Sequence, residues 1–232
     1  MQQINRKKLI VSADDFGKSK LANKNILELA EAGKLNRVSV MANGKFSQDE
    51  LSRLLYSGVK LDVHLDTEEW LEDKEKIRES FIKRSIIFWN NHLFGILRRN
   101  KKEKIWENQL RHFIAITGEN PDGINTHRYD HLFPRYFPRI ISLAKKYKVS
   151  RIRFGKIIPA GQNGITSAIL DRFQKRDKDL FLESGLISYD YCVSLDWIEN
   201  PEKFFEDLPE GKIELVCHPE REEEINFVNK YL

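Results

Sequence analysis

Leu9-Ile10-Val11-Ser12-Ala13-Asp14-Asp15-Phe16-Gly17 is a segment in which an apolar run ends in two adjacent carboxylates and a glycine. The apolar, β-branched residues at its start predict a buried parallel strand. Sites in α/β folds usually lie at the carboxyl ends of such strands. Because successive strand residues point to opposite faces, Asp14 and Asp15 can have different tasks, one binding a cation and the other handling a proton. The alternative is that both acids only favour the dipole of the next helix.

Strand patterns alternate with helical patterns along the rest of the chain. A helix capped by Ser19 follows the first segment, and alternation of this kind is typical of parallel strands joined by helical crossovers. We therefore predict an α/β fold, an irregular (β/α) barrel of about seven mostly parallel strands, with a doubly wound open sheet as the alternative. The predicted strands cover residues 9–11, 37–43, 60–66, 124–128, 151–154, 187–195 and 212–218.

Length and charge restrict the classes of protein to which the chain can belong. Its 232 residues fit one domain, 1–232, with a helical insertion at about 70–118. Two helices, over 72–91 and 102–117, are predicted there without an intervening strand, and such excursions often cover a site. The net charge of +4 is too small to argue for a nucleic-acid partner. No apolar stretch approaches the roughly 20 residues of a membrane span.

The two cysteines bear on the cellular compartment. Cys192 and Cys217 form neither a disulfide framework nor a C-x-x-C pair, which favours a reduced, cytoplasmic protein. The first eight residues are polar and show no signal-peptide pattern. Cys217 precedes a strand-end histidine and faces the other way, so we predict that it packs in the core. The sequence leaves open whether the chain forms a homodimer.

Histidines gather at the predicted strand ends. His64 ends the third strand, His127 ends the fourth and His218 ends the seventh, while His131 follows four residues after His127. Parallel strands bring these ends to one edge of the sheet, beside the aspartate pair. A lone histidine at a strand end is most often structural, but carboxylates together with several imidazoles are a ligand set for zinc and similar divalent ions.

Other polar side chains lie close to the same ends. Arg153 ends the fifth strand and is expected to orient Asp14, to contact substrate or to pair with an acid on the surface. His92 and His112 lie in the insertion and are expected at the surface or in a lid. We therefore take Arg153 and His131 as the candidates for substrate binding.

These residues resemble the motifs of the YdjC-type carbohydrate deacetylases, a family that includes the chito-oligosaccharide deacetylases. The resemblance rests on residues 12–17, 63–66, 121–134 and 214–219, which occur in the family's order along most of the chain. It implies a distorted (β/α) barrel and a divalent metal, Mg²⁺ or Zn²⁺. It also implies a hydrolase that removes an N-acetyl group from a carbohydrate substrate, an amino sugar or an oligosaccharide.

The resemblance also assigns roles to the strand-end side chains. Asp15, His64 and His127 match the family's metal ligands, and Asp14 matches the general base that takes a proton from water. His218, or His131 in its place, is then expected to protonate the departing amine.

The chain departs from the family pattern at three positions. Tyr129 stands where a further histidine is common, Asn125 where an aspartate is usual, and Glu220 where a glycine is usual. Because the partners of ligand side chains tune the metal, these changes leave open a homologue that binds sugar without cleaving it. A metal-dependent hydrolase of another amide or of a phosphoester is a further alternative, since the same ligands would serve it.

Overall fold

The computed structural model describes residues 8–66, 96–158 and 164–232, without the side chains of residues 96–101 and 165. The predicted helix over 72–91 and His92 lie outside these residues. Strands alternate with helices through the described ranges. The strands are β1 (Leu9–Phe16), β2 (Arg37–Val40), β3 (Lys60–Leu65), β4 (Gly123–Thr126), β5 (Lys156–Ile157), β6 (Tyr191–Ser194) and β7 (Ile213–Cys217). The helices are α1 (Lys20–Glu31), α2 (Gln48–Tyr56), α3 (Ile96–Thr117), α4 (Phe137–Lys146), α5 (Gly164–Ser184), α6 (Pro201–Glu206) and α7 (Glu222–Tyr231).

One sheet of seven strands, in the order β4-β3-β2-β1-β7-β6-β5, organises the described chain. Every neighbouring pair of strands is parallel. The segment before β5 links the two edges, because Ile152 bridges Ile124 of β4 while Arg151 bridges Ile187, shortly before β6. The sheet is therefore curled, and the predicted irregular (β/α) barrel is confirmed against the open sheet.

The fifth strand differs from the prediction. Residues 151–154 form only the two bridges, and the strand itself is the short β5. Arg151 and Arg153 of this segment are held by buried carboxylates inside the barrel. Short sets of backbone hydrogen bonds join the segment to Ile124 on one side and to Ile187 on the other, and its arginines pair with carboxylates inside the barrel.

β1 is the middle strand, and its residues are buried except for the partly exposed Ile10. It continues past the apolar run to Phe16, and the aspartate pair lies within its carboxyl end. The register with β2 shifts between Ala13 and Phe16, and Asp15 adopts a left-handed conformation with φ 75°. This irregularity breaks the alternation of faces, so the two neighbouring aspartates can face the same side.

Side-chain caps fix the starts of the first two helices. Ser19 Oγ accepts the Ala22 N–H at the start of α1, as predicted, and Ser47 and Glu50 form a capping box on α2. α1 then buries Ile26 and other apolar residues beside β1. Within the described ranges, no helix is both long enough and apolar enough to cross a membrane.

Candidate active site

Three predicted metal ligands meet at the carboxyl end of the sheet. Asp15 is in the end of β1, His64 is in the end of β3, and His127 follows β4. Asp15 Oδ1 lies 3.0 Å from His127 Nδ1 and 3.3 Å from His64 Nε2. One ligand atom from each of the three residues lies within 4.8 Å of the other two. The structure thus brings one carboxylate and two imidazoles to a single point.

The orientation of the His64 ring is set by Asn125. The Asn125 amide donates to Ser39 Oγ at 2.8 Å, and its oxygen is the partner of His64 Nδ1. His64 therefore carries its proton on Nδ1 and directs the lone pair of Nε2 toward Asp15. Nε2 is buried and has no hydrogen-bond partner among the described residues. A buried lone pair aimed at a carboxylate oxygen fits a cation between them, so this donor set fits a divalent metal.

The charges around Asp15 also favour a cation. Burial disfavours its ionised form, yet His127, which hydrogen-bonds its Oδ1, and the neighbouring His64 hold the pKa of Asp15 well below its usual value. Burial lowers the pKa of His64, but Asp14 and Asp15 outweigh that effect and raise it. The ionised carboxylate therefore draws a positive charge, a proton or a metal ion, to the space between the rings.

Arg153 is bound to Asp14 and does not reach outward. Its Nη1 and Nη2 donate to the two Asp14 carboxylate oxygens at 2.6 and 2.9 Å, and its Nε donates to Glu214 at 3.0 Å. Although burial favours the neutral acid, Arg153 and then His64 lower the pKa of Asp14 far below its usual value. Arg153 is 2% exposed. The Arg153 guanidinium is therefore buried and paired with Asp14, and not at the protein surface.

His131, the other candidate for substrate binding, is turned into the core. Its Nδ1 bonds Thr126 Oγ1 at 2.8 Å, and its Nε2 bonds the Arg153 carbonyl at 2.7 Å. Burial lowers the pKa of His131 to about 3, which keeps the ring neutral. Arg128 and Tyr129 adopt left-handed conformations with φ 62° and 58°, and this turn directs the ring inward. Both ring nitrogens are engaged, so the structure presents neither of them to a substrate.

His218 follows β7, and its neighbour Cys217 is fully buried in the core as predicted. The backbone N–H of His218 donates to Glu224 Oε2 at 2.6 Å, and the same oxygen lies 3.5 Å from Nδ1 of the His218 ring. Burial lowers the pKa of His218, but Glu224 outweighs it and the net shift is upward. The protonated ring is therefore favoured, as a proton donor requires.

A second group of side chains has the spacing of a metal site. Asp196, His218 and Glu224 place their ligand atoms within 4.8 Å of one another. Arg221 Nη1, however, lies 2.9 Å from Asp196 and 2.7 Å from Glu224. The guanidinium already balances both carboxylates, and we assign no metal to this group.

Sequence reasoning missed a chain of ion pairs that continues from Asp14 into the barrel. The chain runs through Arg153, Glu214, Arg151, Asp62 and Arg37. The available signal was a carboxylate within a predicted strand of the sheet, such as Asp62 in β3 or Glu214 in β7. Such charges are rarely buried unless they are paired. His112, by contrast, is exposed and bonds Asn43 at 2.8 Å, as expected for a surface residue.

Comparison with known proteins finds relatives over most of the chain. The family described as YdjC-like protein matches residues 8–230. A carbohydrate deacetylase from Halalkalibacterium halodurans is 26% identical over 223 residues, which cover 91% of this chain and 84% of that protein. A chitooligosaccharide deacetylase from Escherichia fergusonii is 29% identical over 147 residues, which cover 61% of this chain and 57% of that protein.

The matched part spans little more than half of some relatives. It covers 57% of the Escherichia fergusonii protein and 56% of a chitooligosaccharide deacetylase from Serratia marcescens. Among solved structures, a putative cellobiose-phosphate cleavage protein from Enterococcus faecalis is similar, with a TM-score of 0.60 and 16% identity. The similarity covers 90% of this chain and 80% of that one, and at this identity it shows a shared fold alone.

Proposed function

Because this chain belongs to the YdjC-like protein family, we propose that it is a metal-dependent hydrolase that removes an N-acetyl group from a carbohydrate. The observation that carries the proposal is the meeting of Asp15, His64 and His127 beside the ion-paired carboxylate of Asp14. The names of the deacetylase relatives support an amino sugar or an oligosaccharide as the substrate class.

The metal would be held by Asp15, His64 and His127. Two imidazoles among three protein ligands favour zinc over magnesium, which prefers oxygen ligands. The buried, unpartnered Nε2 of His64 supports a ligand role for that atom. When bound, a divalent ion supplies Lewis-acid polarisation of water and of the acetyl carbonyl.

Asp14 is the base of the proposed reaction. Its ion pair with Arg153 keeps it ionised at neutral pH and fixes the direction of its oxygens. The same ion pair weakens its basicity, so Asp14 suits a water that is already polarised. The carboxylate takes one proton from this water, and the remaining hydroxide adds to the acetyl carbon.

His218 is the acid of the proposed reaction. Glu224 favours its protonated form, and the ring gives that proton to the amine nitrogen as the carbon–nitrogen bond breaks. The products are acetate and a free amino sugar. Arg153 and His131 act behind the site, Arg153 by orienting Asp14 and His131 by bonding the carbonyl of Arg153.

The test is release of acetate from N-acetylated oligosaccharides by the chain loaded with Zn²⁺ or Mg²⁺. The Asp14→Asn variant should lose at least about a hundredfold in turnover, because general-base catalysis contributes that much or more. The matched control is Asp49→Asn, which changes an exposed aspartate on α2 and should behave as the parent. Parent-like turnover by Asp14→Asn would contradict the assigned base.

The same assay separates the alternatives. A panel of chromogenic phosphoesters and other amides tests for a different hydrolase built on the same ligands. Sugar binding without release of acetate, by a chain that carries no divalent ion, would favour the non-catalytic homologue.

A further inference from the structure

Lys18 places a second positive group on the ligand Asp15. The chain turns at Gly17, which has φ 100°, and this turn brings Lys18 back over the end of β1. Its Nζ lies 2.9 Å from Asp15 Oδ2, while the other oxygen, Oδ1, faces His64 and His127. One carboxylate is thus shared between an ammonium group and the space proposed for the metal.

The ammonium group of Lys18 also contacts a second carboxylate, that of Glu220. Lys18 Nζ lies 3.1 Å from Glu220 Oε2. The other oxygen of Glu220 accepts the Ser19 hydroxyl at 2.7 Å, which ties this side chain to the start of α1. Lys18 is 19% exposed and Asp15 is 1% exposed, so water screens the Lys18–Asp15 contact only in part.

We propose that Lys18 is a tethered cation that competes with the divalent ion for Asp15, and that Glu220 takes the ammonium when the ion binds. The inference depends on the ligand set of the proposed function. A divalent ion at Oδ1 and an ammonium at Oδ2 of one carboxylate repel each other strongly. Glu220 lowers that repulsion because its carboxylate can hold the ammonium away from Asp15. The pair therefore sets how tightly this chain holds its metal.

The experiment measures the dissociation constant for Zn²⁺ by competition with a chromogenic chelator, without any substrate. Lys18→Met should bind Zn²⁺ about tenfold more tightly, because the competing charge is gone. Glu220→Gln should bind more weakly, because the displaced ammonium loses its acceptor. When Glu220→Gln is added to Lys18→Met, it should weaken Zn²⁺ binding by less than twofold, because Glu220 affects the metal only through Lys18. Lys24→Met is the matched control, since Lys24 is exposed on α1 and pairs only weakly with Glu28 at 3.8 Å.

Thermal unfolding gives a second readout. Lys18→Met should lower the melting temperature of the metal-free chain, because the buried Asp15 carboxylate loses the ammonium at its Oδ2, and saturating Zn²⁺ should remove this difference. A Zn²⁺ affinity of Lys18→Met that equals or falls below the parent value would overturn the inference while leaving the proposed function intact. Absence of Zn²⁺ binding in both the parent and Lys18→Met would overturn the inference and the proposed metal site together. Failure to release acetate despite tight Zn²⁺ binding would count against the reaction alone.

Discussion

Asn125 sets the chemical character of His64, one of the proposed metal ligands. Its amide oxygen is the partner of the Nδ1 proton, and an aspartate there would offer a full negative charge to the same proton. The ring would then be a stronger electron donor to a metal at Nε2. We expect Asn125→Asp to tighten the binding of Zn²⁺ about tenfold in the chelator competition assay. The Ser39 hydroxyl, now 2.8 Å from the amide nitrogen, can donate to the new carboxylate.

Asn125→Leu is the matching change in the other direction. It removes the acceptor, frees the His64 ring and should weaken binding of Zn²⁺ about tenfold. Equal affinity in the parent, the aspartate variant and the leucine variant would show that Asn125 does not act on the metal through His64.

Glu224 controls the proton on His218. Glu224→Gln keeps an oxygen for the His218 N–H but removes the charge that raises the pKa of the ring. A raised pKa preserves the protonated acid to higher pH. We therefore expect the alkaline limb of the kcat profile to move to lower pH and kcat at pH 8 to fall about tenfold, with KM unchanged. Glu223→Gln, one residue earlier and exposed, is the control. A pH profile of kcat that does not move would mean that Glu224 only accepts the backbone N–H of His218 and does not control the proton on its ring.

Residue identity predicted which side chains meet at the strand ends better than it predicted the residues that support them. Asp15, His64 and His127 lie at or beside strand ends, and strand ends meet wherever parallel strands form one sheet. The direction of His131 depends on the left-handed turn at Arg128 and Tyr129, and no periodicity in the sequence encodes that turn.

At the scale of elements, apolar periodicity located the strands because a buried parallel strand is apolar on both faces. It placed a strand at 151–154, where the chain instead forms two bridges and sends arginines inward. The ion pairs that Arg151 and Arg153 make with buried carboxylates are contacts between distant segments, which the apolar pattern of one segment does not encode.

The end of β1 depends on a neighbouring loop that has no room for a side chain. Lys45 N donates to the Gly17 carbonyl, and a Cβ on Gly44 would lie 2.5 Å from that carbonyl oxygen. Gly44→Ala must push this backbone away, so we expect a loss of about 1–3 kcal/mol in urea unfolding and weaker binding of Zn²⁺. Gly164→Ala, where nothing lies within 4 Å, should change stability by less than about 0.5 kcal/mol. Equal losses in the two variants would contradict this packing argument.

For the whole molecule, the barrel interior is a charge-balanced network and not a purely apolar core. Arginines from β2 and from the segment before β5 alternate with carboxylates from β1, β3 and β7. The members are Arg37, Arg151 and Arg153 with Asp14, Asp62 and Glu214. Three cations and three anions leave no net charge, which is the condition for burying such groups. The network connects most strands of the barrel to the proposed base.

Glu214 is the central carboxylate of this network, since it bonds Arg151, Arg153 and Ser12. Glu214→Gln leaves two buried guanidinium groups short of a counter-charge, so we expect a loss of about 3–5 kcal/mol at pH 7 in urea unfolding. Glu210→Gln, which changes an exposed partner of Lys8, should lose less than about 1 kcal/mol.

The pH dependence of unfolding provides a separate test of this role. Burial raises the pKa of Glu214, but Arg153 and Arg151 outweigh burial and lower it below the usual 4.5. A carboxylate with a lowered pKa in the folded state stabilises the protein above its unfolded pKa, and that stability is lost as the pH falls through the folded value. The parent should therefore lose stability more steeply than Glu214→Gln below about pH 4.5. If the free energy of unfolding falls equally steeply with decreasing pH in the parent and in Glu214→Gln, the charge of Glu214 does not stabilise the barrel interior.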